Sequence, residues 1–84
     1  MAAKKYNRSD MSTLLSKAVS IEEIIIETVA EIAGKKIGEV SEAFKVSKCH
    51  KNLFDFQSEY YLNDINILVA DFLREVHEEL GWKI

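Results

Sequence analysis

Three side chains with nucleophilic or metal-binding chemistry stand out in this sequence: the adjacent pair Cys49-His50, and His77. His77 lies among the carboxylates Asp71, Glu75, Glu78 and Glu79, a spacing that puts several oxygens near one imidazole and offers a loose grip on a divalent cation. A structural zinc site needs about four ligands, and neighbours in sequence rarely aim at one ion, so Cys49 and His50 do not supply it. Cys49 stands beside Lys48, His50 and Lys51, a basic neighbourhood that favours the thiolate. A nucleophile also needs a positioned base, an oxyanion site and a cleft, and a chain of 84 residues without a glycine-rich loop has little room for them. The expectation is no catalytic residue, no bound metal and no cofactor.

The composition limits the fold that must position these groups. Eighty-four residues make at most one small domain, whose stability is marginal unless association adds contacts. The chain is 48% hydrophobic and 30% charged, a globular balance. It has no proline and three glycines, so little interrupts a helix. A lone cysteine excludes an internal disulfide and suits a reducing cytosol, while no apolar run approaches the ~20 residues of a membrane span. The expected location is cytoplasmic. The net charge of −3 is unevenly laid out: Lys4, Lys5, Arg8 and Lys17 oppose Asp10 alone before residue 21, whereas seven acids oppose Arg74 and Lys83 after residue 51. A basic arm and an acidic second half can attract each other between chains.

The apolar spacing predicts an all-α bundle of three to four helices in a single domain over residues 1–84, with residues 1–8 a mobile basic arm. Met11, Leu14, Leu15 and Ala18 form a short stripe at helical period. Ser20-Ile-Glu-Glu23 reads as a capping box opening a separate helix to Ala33, with Ile25, Val29 and Ile32 inward and Ile24 and Ala33 beside them. Gly34 suits a C-cap, and a second helix is expected over Ile37–Val46 with Ile37, Val40, Ala43 and Phe44 inward. The polar run Ser47–Asn52 reads as a loop. A long final helix is expected from about Ser58 to Leu80, ended by Gly81, with Trp82 folding back.

Two stretches resemble known families. Val29-Ala30, Ala33-Gly34 and Val40-Ser41 resemble the helix-turn-helix of lactose-repressor-class proteins, in which a small residue lets two helices cross and glycine makes the turn. That resemblance implies DNA binding, with Lys35, Lys36, Lys45, Lys48 and Lys51 as the candidate contacts. The sequence departs from it: Lys35 stands where an apolar residue is usual, and the reading helix offers Glu39 and Glu42 where base-reading Arg, Lys, Gln or Asn are needed. The run from Ser20 to Val40, the segment Leu53-Phe54-Asp55-Phe56 and the closing run Glu78–Ile84 are similar to parts of acyl carrier proteins. Their attachment serine in Asp-Ser-Leu has no counterpart, since the neighbourhood reads Ser58-Glu59-Tyr60-Tyr61-Leu62. This implies at most a degenerate relative without thioester chemistry.

The most regular feature is the heptad spacing of Leu62, Ile65, Val69, Phe72 and Val76. With Tyr61, Leu68, Leu73 and Leu80 adding a second row, the last helix looks too apolar for one neighbour in so small a protein. The expected function is therefore a non-catalytic protein–protein interaction module, self-associating through that helix as a homodimer or acting as a small regulator or inhibitor. Its interface residues would be Tyr60, Tyr61, Leu62, Ile65, Val69, Phe72, Val76 and Trp82. Helix-turn-helix DNA binding is the alternative, and no membrane partner is expected.

Overall fold

The structure, a computed structural model, describes residues 8–83. The arm expected over residues 1–8 lies outside them, apart from Arg8, which begins the first helix. Four α-helices occur in order: α1 over Arg8–Ala33, α2 over Ile37–Lys45, α3 over Lys48–Leu53 and α4 over Ile65–Leu80, with two short 3-10 turns, Phe56–Ser58 and Tyr60–Leu62, between α3 and α4. The fold is all-α. α1 packs against both α2 and α4, and α3 closes onto α4.

α1 is one unbroken helix of 26 residues, not the two expected. Nothing between Arg8 and Ala33 breaks it, and Ser20 and Glu23, the supposed capping box, are exposed within its length. Continuity is favoured because Ala18 then shares a stripe with Ile25 and Val29, spaced seven and four residues apart, and all three are buried. The inward face is also rotated from the one expected: Ile25, Ile26, Val29 and Ala30 are buried, whereas Ile24 and Ile32 are each 48% exposed.

Gly34 ends α1 at φ +65, a left-handed conformation cheap only for glycine. The Lys35 N–H donates to the Ala30 carbonyl at 3.0 Å, the bond that closes a Schellman cap. α2 turns Val40 and Phe44 fully inward, while Ile37 stays exposed.

The run Ser47–Asn52 is largely helix rather than loop, and Ser47 stitches it to α2. Its hydroxyl donates to the Phe44 carbonyl at 2.7 Å and accepts from the His50 N–H at 3.0 Å. The last helix begins at Ile65, later than expected, because Asp64 caps it by accepting from the Asn66 N–H at 2.8 Å. Ahead of it the two 3-10 turns meet at Glu59, which takes φ +59. As expected, Gly81 ends α4 in the left-handed region, and Trp82 folds back into the core.

The core has aromatic rings at its centre. Phe44 meets Phe72 edge to face at 4.9 Å, and Phe56 meets Tyr61 likewise at 5.8 Å. The heptad residues Val69, Phe72 and Val76 are part of this core. The apolar breadth of α4 is thus mostly covered by α1, α2 and α3. The molecule is elongated, 48 × 21 × 19 Å. α1, about 39 Å long at helical rise, accounts for the long dimension.

Candidate interaction surface

Of the groups first singled out for chemistry, Cys49 is tied up in a clamp between α3 and α4. Tyr60 Oη donates to Asp71 Oδ2 at 2.7 Å, and Arg74 donates to Asp71 Oδ1 at 3.0 Å. Cys49 Sγ lies 3.8 Å from the same tyrosine oxygen. Burial pushes the Cys49 thiol up to about 12, and the nearby Glu75 and Asp71 carboxylates add to the rise. Burial and the hydrogen bond to Asp71 likewise push Tyr60 well above the usual phenol range. The basic neighbourhood expected to favour a thiolate is overridden, because Cys49 faces into the protein rather than toward Lys48 and Lys51. A buried neutral thiol beside a protonated phenol is a poor nucleophile.

The carboxylates expected around His77 are also divided. Glu75 turns to α3, where Oε2 accepts from the Lys48 N–H at 2.8 Å and Oε1 from the Cys49 N–H at 3.3 Å. His77 Nδ1 donates instead to the Trp82 carbonyl at 2.8 Å. Among the described residues no three metal-ligating side chains converge. Ser58, in the neighbourhood compared with an acyl-carrier attachment site, donates its hydroxyl to the Asp55 carbonyl at 2.7 Å.

Of the expected interface residues, Val69, Phe72, Val76, Tyr61 and Trp82 are buried within the chain. They form core, not surface. Tyr60 and Ile65 are half-buried. Leu62 alone is open, at 58% exposure. The heptad spacing implies one helix with a spare face, but residues 60–62 are a 3-10 turn, and α4 packs on α1 and α3 with Phe72 also against Phe44 of α2.

Apolar surface is nevertheless left bare, on α1. Met11, Leu15 and Val19 are spaced four apart and each is exposed, at 41%, 50% and 40%. A row of this spacing is a ridge of the kind that packs between helices. From Met11 onward, Ala18 is the first fully buried residue of α1, so the ridge lies where the bundle has barely begun to cover the helix. Further along α1, exposed Ile24 faces Leu62 across a groove of about 360 Å³ that Lys17 and Ile21 also line. A second groove of about 310 Å³ lies between α2 and α4, where exposed Val46 and Leu80 sit close to Glu75 and Glu79. The stripe over Met11, Leu14 and Leu15 is visible in the sequence. Its exposure is not, because that depends on how far the other helices reach.

The lysines of the DNA-binding alternative are dispersed or engaged. Lys35 lies 3.8 Å from Glu39, with its ammonium 5.1 Å above the Trp82 ring. Lys45 lies 3.8 Å from Glu42. Lys36 and Lys51 are exposed, and Lys48, also exposed, borders a polar hollow with Glu75, Glu78 and Glu79. The turn between α1 and α2 does have the glycine geometry of a helix-turn-helix, but the outward face of α2 carries Glu39 and Glu42.

Comparison with known protein families, curated proteins and solved structures finds no match to this chain. Among the described residues, no helix is long and apolar enough to cross a membrane.

Proposed function

We propose that the chain is a non-catalytic protein–protein interaction module, of a size suited to a small cytoplasmic regulator or inhibitor. The observation that carries this reading is the uncovered Met11–Leu15–Val19 ridge on α1. Scattered exposed aliphatics are ordinary, but three in one ridge at a thinly covered helix end form a contiguous surface whose burial favours association. The clamped Cys49, Tyr60 and Glu75 support a structural rather than a catalytic use of the chain's reactive groups.

The test is to place a charge on the ridge. Leu15→Glu should leave the circular dichroism spectrum and unfolding midpoint unchanged while abolishing the association measured for the native chain. A native chain that associates with nothing, or a Leu15→Glu chain that associates equally well, overturns the proposal.

The Gly34 turn between α1 and α2 supports a second reading, DNA binding through α2 and the lysines beyond it. In that case duplex affinity falls steeply with salt, and Lys48→Ala lowers the slope by about one. The two acids facing outward from α2 oppose phosphate contact, so the interaction reading ranks first.

A further inference from the structure

We propose that the groove between α1 and the start of α4 binds a medium-length aliphatic carboxylate, its chain lying on Ile21, Ile24, Ile65 and Leu68 and its carboxylate on Lys17. The site goes beyond the interaction reading and is separate from the ridge, because Lys17 and Ile24 lie about half a turn round α1 from Leu15.

α1 builds one wall of the groove. Lys17, Ile21 and Ile24 are spaced four and three residues apart and so share a face, along a line of about 10 Å. Exposed Leu62 and half-buried Ile65 form the other wall, and Leu68 and Tyr61 are the buried residues between them. The volume of about 360 Å³ falls in the range of small-molecule sites, which are mostly apolar with a few polar groups that fix orientation. An extended chain of about eight carbons spans roughly the same length as the line from Lys17 to Ile24. At the far end Ile24 and Leu62 are both open to water, and an aliphatic tail laid between them would remove that apolar surface from solvent.

Charge decides the head group. Among the described residues Lys17 is the one charged side chain that lines the groove, and it makes no ion pair. Its ammonium lies 5.7 Å from the centre of the Tyr61 ring. The residues one turn away on α1, Thr13, Leu14, Ser20 and Ile21, include no acid. On the other wall Asp64 turns its carboxylate to the Asn66 N–H at 2.8 Å. An anion at this end therefore meets a cation that no side chain neutralises. One cation matches one negative charge, and a second charge would sit uncompensated against apolar walls. A singly charged carboxylate fits, and a doubly charged phosphate ester does not.

The probe is sodium octanoate, titrated into the full-length chain with its methyl groups labelled for NMR. Ile21, Ile24, Leu62, Ile65 and Leu68 should shift and saturate. Each methylene from hexanoate to octanoate should tighten binding by about fourfold, and longer chains should gain less once the tail passes Ile24. Octylammonium chloride should bind at least about tenfold more weakly than octanoate, and Lys17→Glu, at an exposed position, should reverse that preference. Equal binding of the two probes, or octanoate binding untouched by Lys17→Glu, overturns the assignment. So does the absence of saturable shifts by about 10 mM octanoate. Shifts confined to Met11, Leu15 and Val19 would place the acid on the ridge, which removes this site and leaves the interaction reading standing. A chain that ignores octanoate but loses a protein partner on Ile24→Glu substitution would make the groove a protein contact, and the ligand proposal falls.

Discussion

Glu75 caps a helix to which it does not belong. Its Oε2 accepts the Lys48 N–H at 2.8 Å from 27 residues away, and Oε1 accepts the next amide, of Cys49, at 3.3 Å. With Ser47 taking the His50 N–H, all three leading amides of the six-residue α3 have an acceptor. A helix this short is not stable alone, and the carboxylate also suits the positive end of its dipole. Glu75→Ala should therefore cost about 1–2 kcal/mol in urea unfolding, and Glu75→Gln less, because an amide oxygen keeps one of the two bonds. A Glu75→Ala chain as stable as the native one would show that α3 does not depend on this cap.

The same relationship explains what can be read from sequence and what cannot. The end of α1 is legible because Gly34 acts within a few residues of itself, as is the turn back at Gly81 and Trp82. Local signals of this kind depend on backbone dihedrals and neighbouring amides. α3 is hidden because Ser47–Asn52 is polar and its second cap comes from α4, a contact with no trace in local spacing. The heptad is legible as apolar, but its members Val69, Phe72 and Val76 turn inward rather than outward. Period shows which residues share a face, and only the placement of α1 and α2 shows what covers it. The break expected at Ser20 fails for the opposite reason: a sound local motif yields to the burial of Ala18, Ile25 and Val29 on one continuous stripe.

Alkali should destabilise the protein through Cys49. Its thiol holds its proton to about 12 in the fold, against an ordinary value of 9.0, chiefly because burial disfavours the thiolate. The unfolded chain releases that proton first, so above pH 9 it binds fewer protons than the native chain, and stability falls as pH rises toward 12. Tyr60, also pushed upward, adds a loss in the same direction. Unfolding midpoints should be flat around pH 7–8 on this account and decline above pH 9, and Cys49→Ala should shallow the decline. In the native state at pH 8, Ellman's reagent should label Cys49 at least about a hundredfold more slowly than in urea, since reaction requires an opening of the fold. Rapid native labelling would contradict the buried thiol.

Gly34→Ala should destabilise the chain by about 1 kcal/mol. A Cβ at Gly34 would meet nothing within 4 Å, so the cost comes from φ +65 alone and not from a clash. Asparagine tolerates the left-handed region better than alanine, so Gly34→Asn should recover part of the loss. Chemical denaturation of the two variants gives the ordering directly. Equal losses would mean that the penalty is steric rather than conformational.

The reassignment of the heptad to the core gives a direct contrast between two of its members. Phe72 is fully buried, its ring edge to face with Phe44 at 4.9 Å. Phe72→Ala should remove about 3–5 kcal/mol, comparable with the whole stability of so small a domain, and leave the chain largely unfolded. Leu62 is 58% exposed at the rim of the groove opposite Ile24, so Leu62→Ala should change stability by no more than about 0.5 kcal/mol. Circular dichroism at 222 nm during urea titration separates the cases, since one variant should lose its transition and the other keep it. Were the heptad an interface, Phe72→Ala would instead leave the unfolding midpoint near the native value and alter only the dependence on protein concentration. The complete burial of Phe72 by its own chain argues for the first outcome, because a ring closed off within the core against Phe44 has no face left to offer.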